Sequence, residues 1–233
     1  MFAVKTDFEK RKSEISEYFS FIEILCEVEK DVEIKFSKER HSKRKRKYLI
    51  SDQLQKILIA NSFLLLYNLI EATVRNSIEE IFSDLKNNET DYTKLTESVK
   101  KIFLIQHHKN LKEGTFSLTT LTDQVGTLIT SVLNNQVIEL QKERLDFSGN
   151  LDARAIKKLA NDYGFEQPIQ NGDDLLTIKN KRNHLAHGEF SFSEIGKNYT
   201  VSDLLKFKDQ TFDFLGEVII NIDKYISIKG YSI

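Results

Sequence analysis

The chain has 233 residues, of which 40% are hydrophobic and 30% charged, with a formal net charge of −1, 9 Gly, 1 Pro and 1 Cys. That is enough to bury a sizeable core, and with so few helix breakers it reads as an all-α protein forming one domain, 1–233. The lone Cys26 excludes an internal disulfide, and the balanced charge requires any nucleic-acid affinity to come from a local patch. Met1 to Lys5 lacks the apolar core of a signal peptide, and the run Ile57–Tyr67, interrupted by Asn61 and Ser62, is too short to span a bilayer. A soluble, cytoplasmic protein is expected.

Asp7 to about Phe36 reads as a first long helix, with Phe8, Ile15, Phe19, Ile22 and Cys26 along its apolar stripe. A basic run from Lys38 to Lys47 follows, including Lys43, Arg44, Lys45, Arg46 and Lys47. Such a run is either a solvated loop or the local phosphate-contacting patch that the overall charge demands. Residues 1–50 are thus an N-terminal helix and basic loop ahead of a core bundle, 51–233.

Ser51 to about Leu85 is the strongest helix, capped by Ser51 or Asp52 and apolar nearly all round between Leu54 and Ile70, as suits a central buried helix. Asn61, Asn68, Glu71 and Arg75 fall within about 80° of one another on it. This polar stripe is either an exposed seam carrying a Glu71–Arg75 ion pair or the lining of a functional cleft.

Lys86 to Thr90 is a polar break, followed by helices from about Tyr92 to Leu111 and from about Thr120 to Leu145, with Gly114 and Thr115 between them. His107 and His108 lie about 100° apart with no further ligand at metal spacing, and read as surface residues. Ser148 to Arg154 is a turn feeding a short helix, with Asn150 or Asp152 as cap, Gly164 as stop and Arg154 in reach of a phosphate or a carboxylate. Pro168 marks the connection to a helix beginning near Asp173. Beyond it, Phe190 to Asn198 suggests a small hairpin or extended loop. Thr200-Val201-Ser202-Asp203 has capping-box form and opens a last helix to about Ile228, with Leu205, Phe212, Leu215, Ile219, Ile222 and Ile226 as its core stripe.

The helix from Asp173 closes on Lys181-Arg182-Asn183-His184-Leu185-Ala186-His187-Gly188. At about 100° per residue, Asn183 and His187 share a face, whereas Arg182 lies about 140° from His187 and must curl round to join them. Gly188 is placed to be the C′ residue, with His187 in the last turn. Helix C-termini attract His and Arg simply because cations complement the dipole. An imidazole that titrates near neutrality, beside an arginine and an amide, also suits acid–base chemistry on an anionic phosphodiester. His184 and His187 could share a metal ion, but no third ligand stands at useful spacing, so no metal or other cofactor is expected.

Arg182-Asn183-x-x-x-His187 resembles the R-N-x-x-x-H signature of the HEPN superfamily. Tyr67-Asn68-Leu69-Ile70-Glu71 and Ser148-Gly149-Asn150-Leu151-Asp152-Ala153-Arg154 are similar to stretches of its MAE-like nuclease branch, so the resemblance runs from about Ser51 to Phe214. It implies an antiparallel helical bundle of HEPN type with additional helices. It also implies a metal-independent endoribonuclease, often in toxin–antitoxin or other defence settings, with two motif helices meeting across a homodimer. In that chemistry the 2′-OH of RNA attacks its own phosphate; His187 is base and acid, Arg182 stabilises the phosphorane charge and Asn183 orients the helix end or the phosphate. Glu71, Arg75, Asn68 and His184 are supporting candidates, and Lys43 to Lys47 with Arg154 are candidates for RNA contact. The expected partners are RNA, a second copy of the chain and an antitoxin or other defence-system protein, with no membrane. The alternative is a non-catalytic HEPN scaffold that binds RNA, nucleotide or a protein partner in the same groove.

Overall fold

Long apolar stripes and few breakers produce eight α-helices among the described residues, which are 1–27, 50–112, 118–142, 145, 147 and 149–233 of a computed structural model, the side chains of 107–112, 118–121 and 124 excepted. They are α1 (Phe2–Glu27), α2 (Asp52–Asn87), α3 (Glu97–Lys112), α4 (Leu118–Leu133), α5 (Ala153–Tyr163), α6 (Asp173–Ala186), α7 (Phe192–Gly196) and α8 (Val201–Ser227), with a 3-10 turn at Tyr92–Lys94. No β-strand occurs among the described residues; two isolated bridges join Asp91 to Val137 and Leu95 to Ser232. The all-helical expectation holds. The basic run Lys38–Lys47, Gly114 and Thr115 lie outside the described residues, as do the side chains of His107 and His108.

Several boundaries differ from the sequence reading. Helix α1 begins at Phe2, because its first turn is tied down by the Met1 ammonium on Glu80 and by Lys5 on Asp223 at 2.6 Å. Helix α4 stops at Leu133 rather than near Leu145: Asn135 adopts φ 49°, a left-handed conformation that Asn tolerates, and Ile138 N–H then donates to the Thr90 carbonyl at 2.9 Å. Residues 190–198 form no hairpin. Ser191 and Glu194 make a capping box that starts α7, with Ser191 N–H donating to the Glu194 carboxylate at 2.8 Å, and these bonds hold that carboxyl below its usual range.

The described chain divides into two compact units, and α1, α2 and α8 contribute residues to both. One unit holds Met1–Thr6, Glu71–Gln170 and Asp213–Ile233. In it α3 packs on α5, Phe82 stacks on Tyr163 at 6.1 Å, and the Tyr225 hydroxyl donates to the Tyr163 carbonyl at 2.7 Å. Tyr231 is fully buried and donates to Asp84 at 2.6 Å; burial, with the Asp84 carboxylate, pushes its phenol well above the usual range.

The other unit holds Asp7–Ile70 and Asn171–Phe212. Here α1 and α2 run antiparallel, since Arg11 meets Asn68, Tyr18 meets Leu58 and Leu25 meets Gln55. The same logic makes α6 antiparallel to the start of α8: Asp174 pairs with Lys206 at 3.3 Å, and Lys181 lies over the Tyr199 ring at 5.9 Å. Phe63 anchors the core, with Tyr199 4.8 Å and Phe207 5.9 Å from its ring. Gly196 of α7 approaches α2 so closely that a Cβ there would stand 1.9 Å from the Lys56 carbonyl oxygen.

Helix α2 has 36 residues and, among the described residues, is the one helix long and apolar enough to cross a membrane, which the shorter run Ile57–Tyr67 understated. Its Phe63, Leu66, Ile70, Ile78, Ile81 and Leu85 are fully buried, so protein packing accounts for its hydrophobicity. The C-terminal stripe is rotated slightly from expectation. Leu215, Ile219 and Ile222 are buried, but Leu204, Phe207 and Phe214 take the places expected of Leu205 and Phe212.

Candidate functional site

Helix α6 starts and stops where the sequence placed it. Asp173 and Asp174 face the positive end of its dipole, and Leu175 and Ile178 bury one side. At the other end His187 is the C-cap residue, one position beyond the last helical residue, with φ −89° and ψ −3°. Gly188 follows at φ 68°. Gly188 N–H donates to the Leu185 carbonyl at 3.3 Å and Glu189 N–H to the His184 carbonyl at 3.0 Å, the paired bonds of a Schellman ending. The glycine is needed because a side chain is strained at that φ.

Arg182 curls toward Asn183 and the α2 ring beneath it. Its Nη1 donates to Asn183 Oδ1 at 3.0 Å, and its guanidinium carbon lies 4.7 Å from the centre of the Tyr67 ring of α2. Both side-chain positions are half-buried, and no carboxylate pairs with this arginine among the described residues. A guanidinium has five donors, so most of its fork stays available for an anion. His187 is exposed, with its backbone N–H on the Asn183 carbonyl at 2.9 Å. Lys181 adds a second cation on the preceding residue, over Tyr199, whose phenol burial pushes up. The arrangement joins an arginine, an amide and a solvent-accessible imidazole at one helix end.

The supporting candidates are distributed differently. Asn68 accepts from Arg11 of α1 at 2.8 Å, and Asn61 donates to the Tyr18 hydroxyl at 3.4 Å, so this part of the polar stripe is explained by α1. Arg11, Tyr18 and Asn68 line a cleft of about 200 Å³ with Glu14 and Leu65. In the other unit Glu71 and Arg75 form the expected i,i+4 pair at 3.3 Å, worth about 0.3–0.5 kcal/mol in an exposed setting. Arg75 also donates to the Leu145 carbonyl at 3.1 Å and lies 5.3 Å from the Phe147 ring centre, which ties these two residues to α2. Asp152 is the α5 N-cap, accepting from Ala155 N–H at 2.9 Å, and Gly164 ends that helix at φ 88°. Arg154 is exposed on its first turn.

Two contacts escaped the sequence reading. Tyr67 is the ring under Arg182, hidden among the apolar residues of a buried helix. His184 is paired through Nδ1 with Glu189 at 2.5 Å and set edge-on to Phe190 at 5.1 Å.

No curated protein and no solved structure matches the chain. Among protein families, that of the MAE_28990-like HEPN domains matches residues 3–231, so the likeness extends beyond Ser51–Phe214 to take in α1 and the end of α8. With the match spanning nearly the whole sequence, the chain belongs to the MAE-like branch of the HEPN superfamily.

Proposed function

We propose that the protein is a metal-independent endoribonuclease whose site is Arg182, Asn183 and His187. The observation that carries this reading is the half-buried Arg182, held on Asn183 and Tyr67 with no carboxylate partner among the described residues, at the same helix end as the exposed imidazole of His187. A guanidinium with donors left over at that position is suited to the negative charge that builds on phosphorus. The 2′-oxygen loses its proton and bonds to phosphorus, and the bond from phosphorus to the 5′-oxygen breaks as that oxygen takes up a proton. His187 takes part in these proton transfers. A two-fold homodimer with the ends of both α6 helices near the axis would present two such sites to one RNA. In this reading the protein works in the cytoplasm as a toxin or defence component, with an antitoxin or similar protein as a further partner.

The test is direct. Purified protein in excess chelator is expected to cut single-stranded RNA to 2′,3′-cyclic phosphate and 5′-hydroxyl ends. A strict requirement for added metal would overturn the mechanism, and RNA binding without cleavage would identify a scaffold instead.

The basic run supplies a separate expectation. If Lys43 to Lys47 contact phosphates, a Lys43/Arg44/Lys45/Arg46→Ser variant binds all RNA sequences more weakly, each lost contact removing about 0.7 from the slope of log affinity against log salt. Arg154, exposed on the first turn of α5, is a further candidate for RNA contact in this reading. Superimposable slopes for variant and wild type would show that the run makes no phosphate contact.

A further inference from the structure

The Schellman ending of α6 departs from the usual pattern at one point. The residues flanking such a turn, here His184 and Glu189, commonly make a hydrophobic contact across it. In this chain they make an imidazole–carboxylate pair at 2.5 Å, with Phe190 packed at 89° to the His184 ring. An ionised carboxylate only accepts hydrogen bonds, so Nδ1 must carry the proton and Nε2 is left as the ring's basic nitrogen. In a Ser-His-Asp constellation a carboxylate set on Nδ1 in this way orients the imidazole so that Nε2 faces the hydroxyl whose proton it takes.

His184 is also close to the site already described. His187 keeps helical backbone angles, so the two histidines remain about 60° apart round the helix axis, with Cβ atoms about 5–6 Å from each other. Cleavage by 2′-oxygen attack needs one group to accept a proton and another to donate one. Resting on the endoribonuclease reading, we infer that His184 is the general base, Glu189 its positioning residue and His187 the general acid, all within one protomer. Nε2 of His184 takes the proton from the 2′-hydroxyl as the bond from 2′-oxygen to phosphorus forms. The imidazolium of His187 gives its proton to the 5′-oxygen as the bond from phosphorus to that oxygen breaks. Both rings return to their starting states by exchange with water.

The roles separate in an RNA whose scissile 5′-oxygen is replaced by sulfur, because a thiolate leaves without a proton. His187→Ala is expected to slow cleavage of ordinary RNA by about 10²–10⁴-fold and to regain most of that loss on the sulfur substrate. His184→Ala, with His184→Gln as a second variant in case the first folds poorly, is expected to be slow on both. Glu189→Ala is expected to slow both and to move the His184 ring from the Nδ1-protonated to the Nε2-protonated tautomer in its nitrogen NMR spectrum. Wild-type rates for the His184 variants on ordinary RNA, or their rescue by sulfur, would overturn the assignment while leaving the endoribonuclease reading intact. Wild-type protein that cleaves neither substrate would instead remove that reading, and this role with it.

Discussion

Replacing His187 by alanine is expected to lower RNA cleavage by about 10²–10⁴-fold with no change in helical content, the span that loss of a positioned proton-transfer group usually covers. The structure makes this a clean substitution. The imidazole is exposed, and the bond that ties residue 187 to the helix is from its backbone N–H to Asn183, which alanine retains. Arg182 needs a different variant, because its guanidinium also stacks on Tyr67 and an alanine would lose that contact, worth about 0.5–2 kcal/mol, together with the charge. Arg182→Lys keeps a cation but removes the planar fork, and it is expected to depress kcat more than it weakens binding. Rates at saturating RNA, measured beside circular dichroism, decide the matter. Unimpaired cleavage by His187→Ala would remove the histidine from the reaction, and wild-type kcat in Arg182→Lys would show that the fork geometry is not used.

What the sequence disclosed about this site follows from which interactions are local. The span of α6, its arrest at Gly188 and the need for Arg182 to reach back toward Asn183 depend on helical pitch and on one glycine, both readable from residue order. The His184–Glu189 pair has a spacing of five, which no straight helix brings together. It exists because the left-handed Gly188 folds the chain back over the last turn, and only a sequence reading that followed the Schellman ending one residue further could have found it. Tyr67 was unreadable for another reason: its apolar neighbours announce a core position, and its use as a platform for Arg182 requires knowing that α6 packs there. The polar stripe of α2 was legible as a stripe, but its partners on α1, Tyr18 and Arg11, are fixed by antiparallel packing and not by any local pattern. Outside the site, the capping box at Thr200–Asp203 is legible in the sequence while the equivalent one at Ser191–Glu194 is disguised, because alternating Phe190 and Phe192 imitate a strand.

The largest stability effect is expected at a residue with no chemistry, Gly196. It is not in the left-handed region, so its requirement is purely one of space. A Cβ there would lie 1.9 Å from the Lys56 carbonyl oxygen and 2.6 Å from its carbon, both backbone atoms inside α2 that cannot turn aside as a flexible side chain would. Gly196→Ala must therefore push α7 off α2, separating Ile195 from the core in which it is buried. Overpacking of this kind costs roughly 3 kcal/mol, the upper end of its usual range. Gly216, in the interior of α8, is the control, because nothing lies within 4 Å of its added Cβ. There the helix propensity of alanine should prevail, and Gly216→Ala is expected to stabilise by about 0.5–1 kcal/mol. Urea unfolding of the two variants should thus shift the midpoint in opposite directions at similar slope. A Gly196→Ala midpoint equal to that of wild type would mean that α7 has room to move, and that the close approach to Lys56 does not hold the chain beyond Phe190 in place.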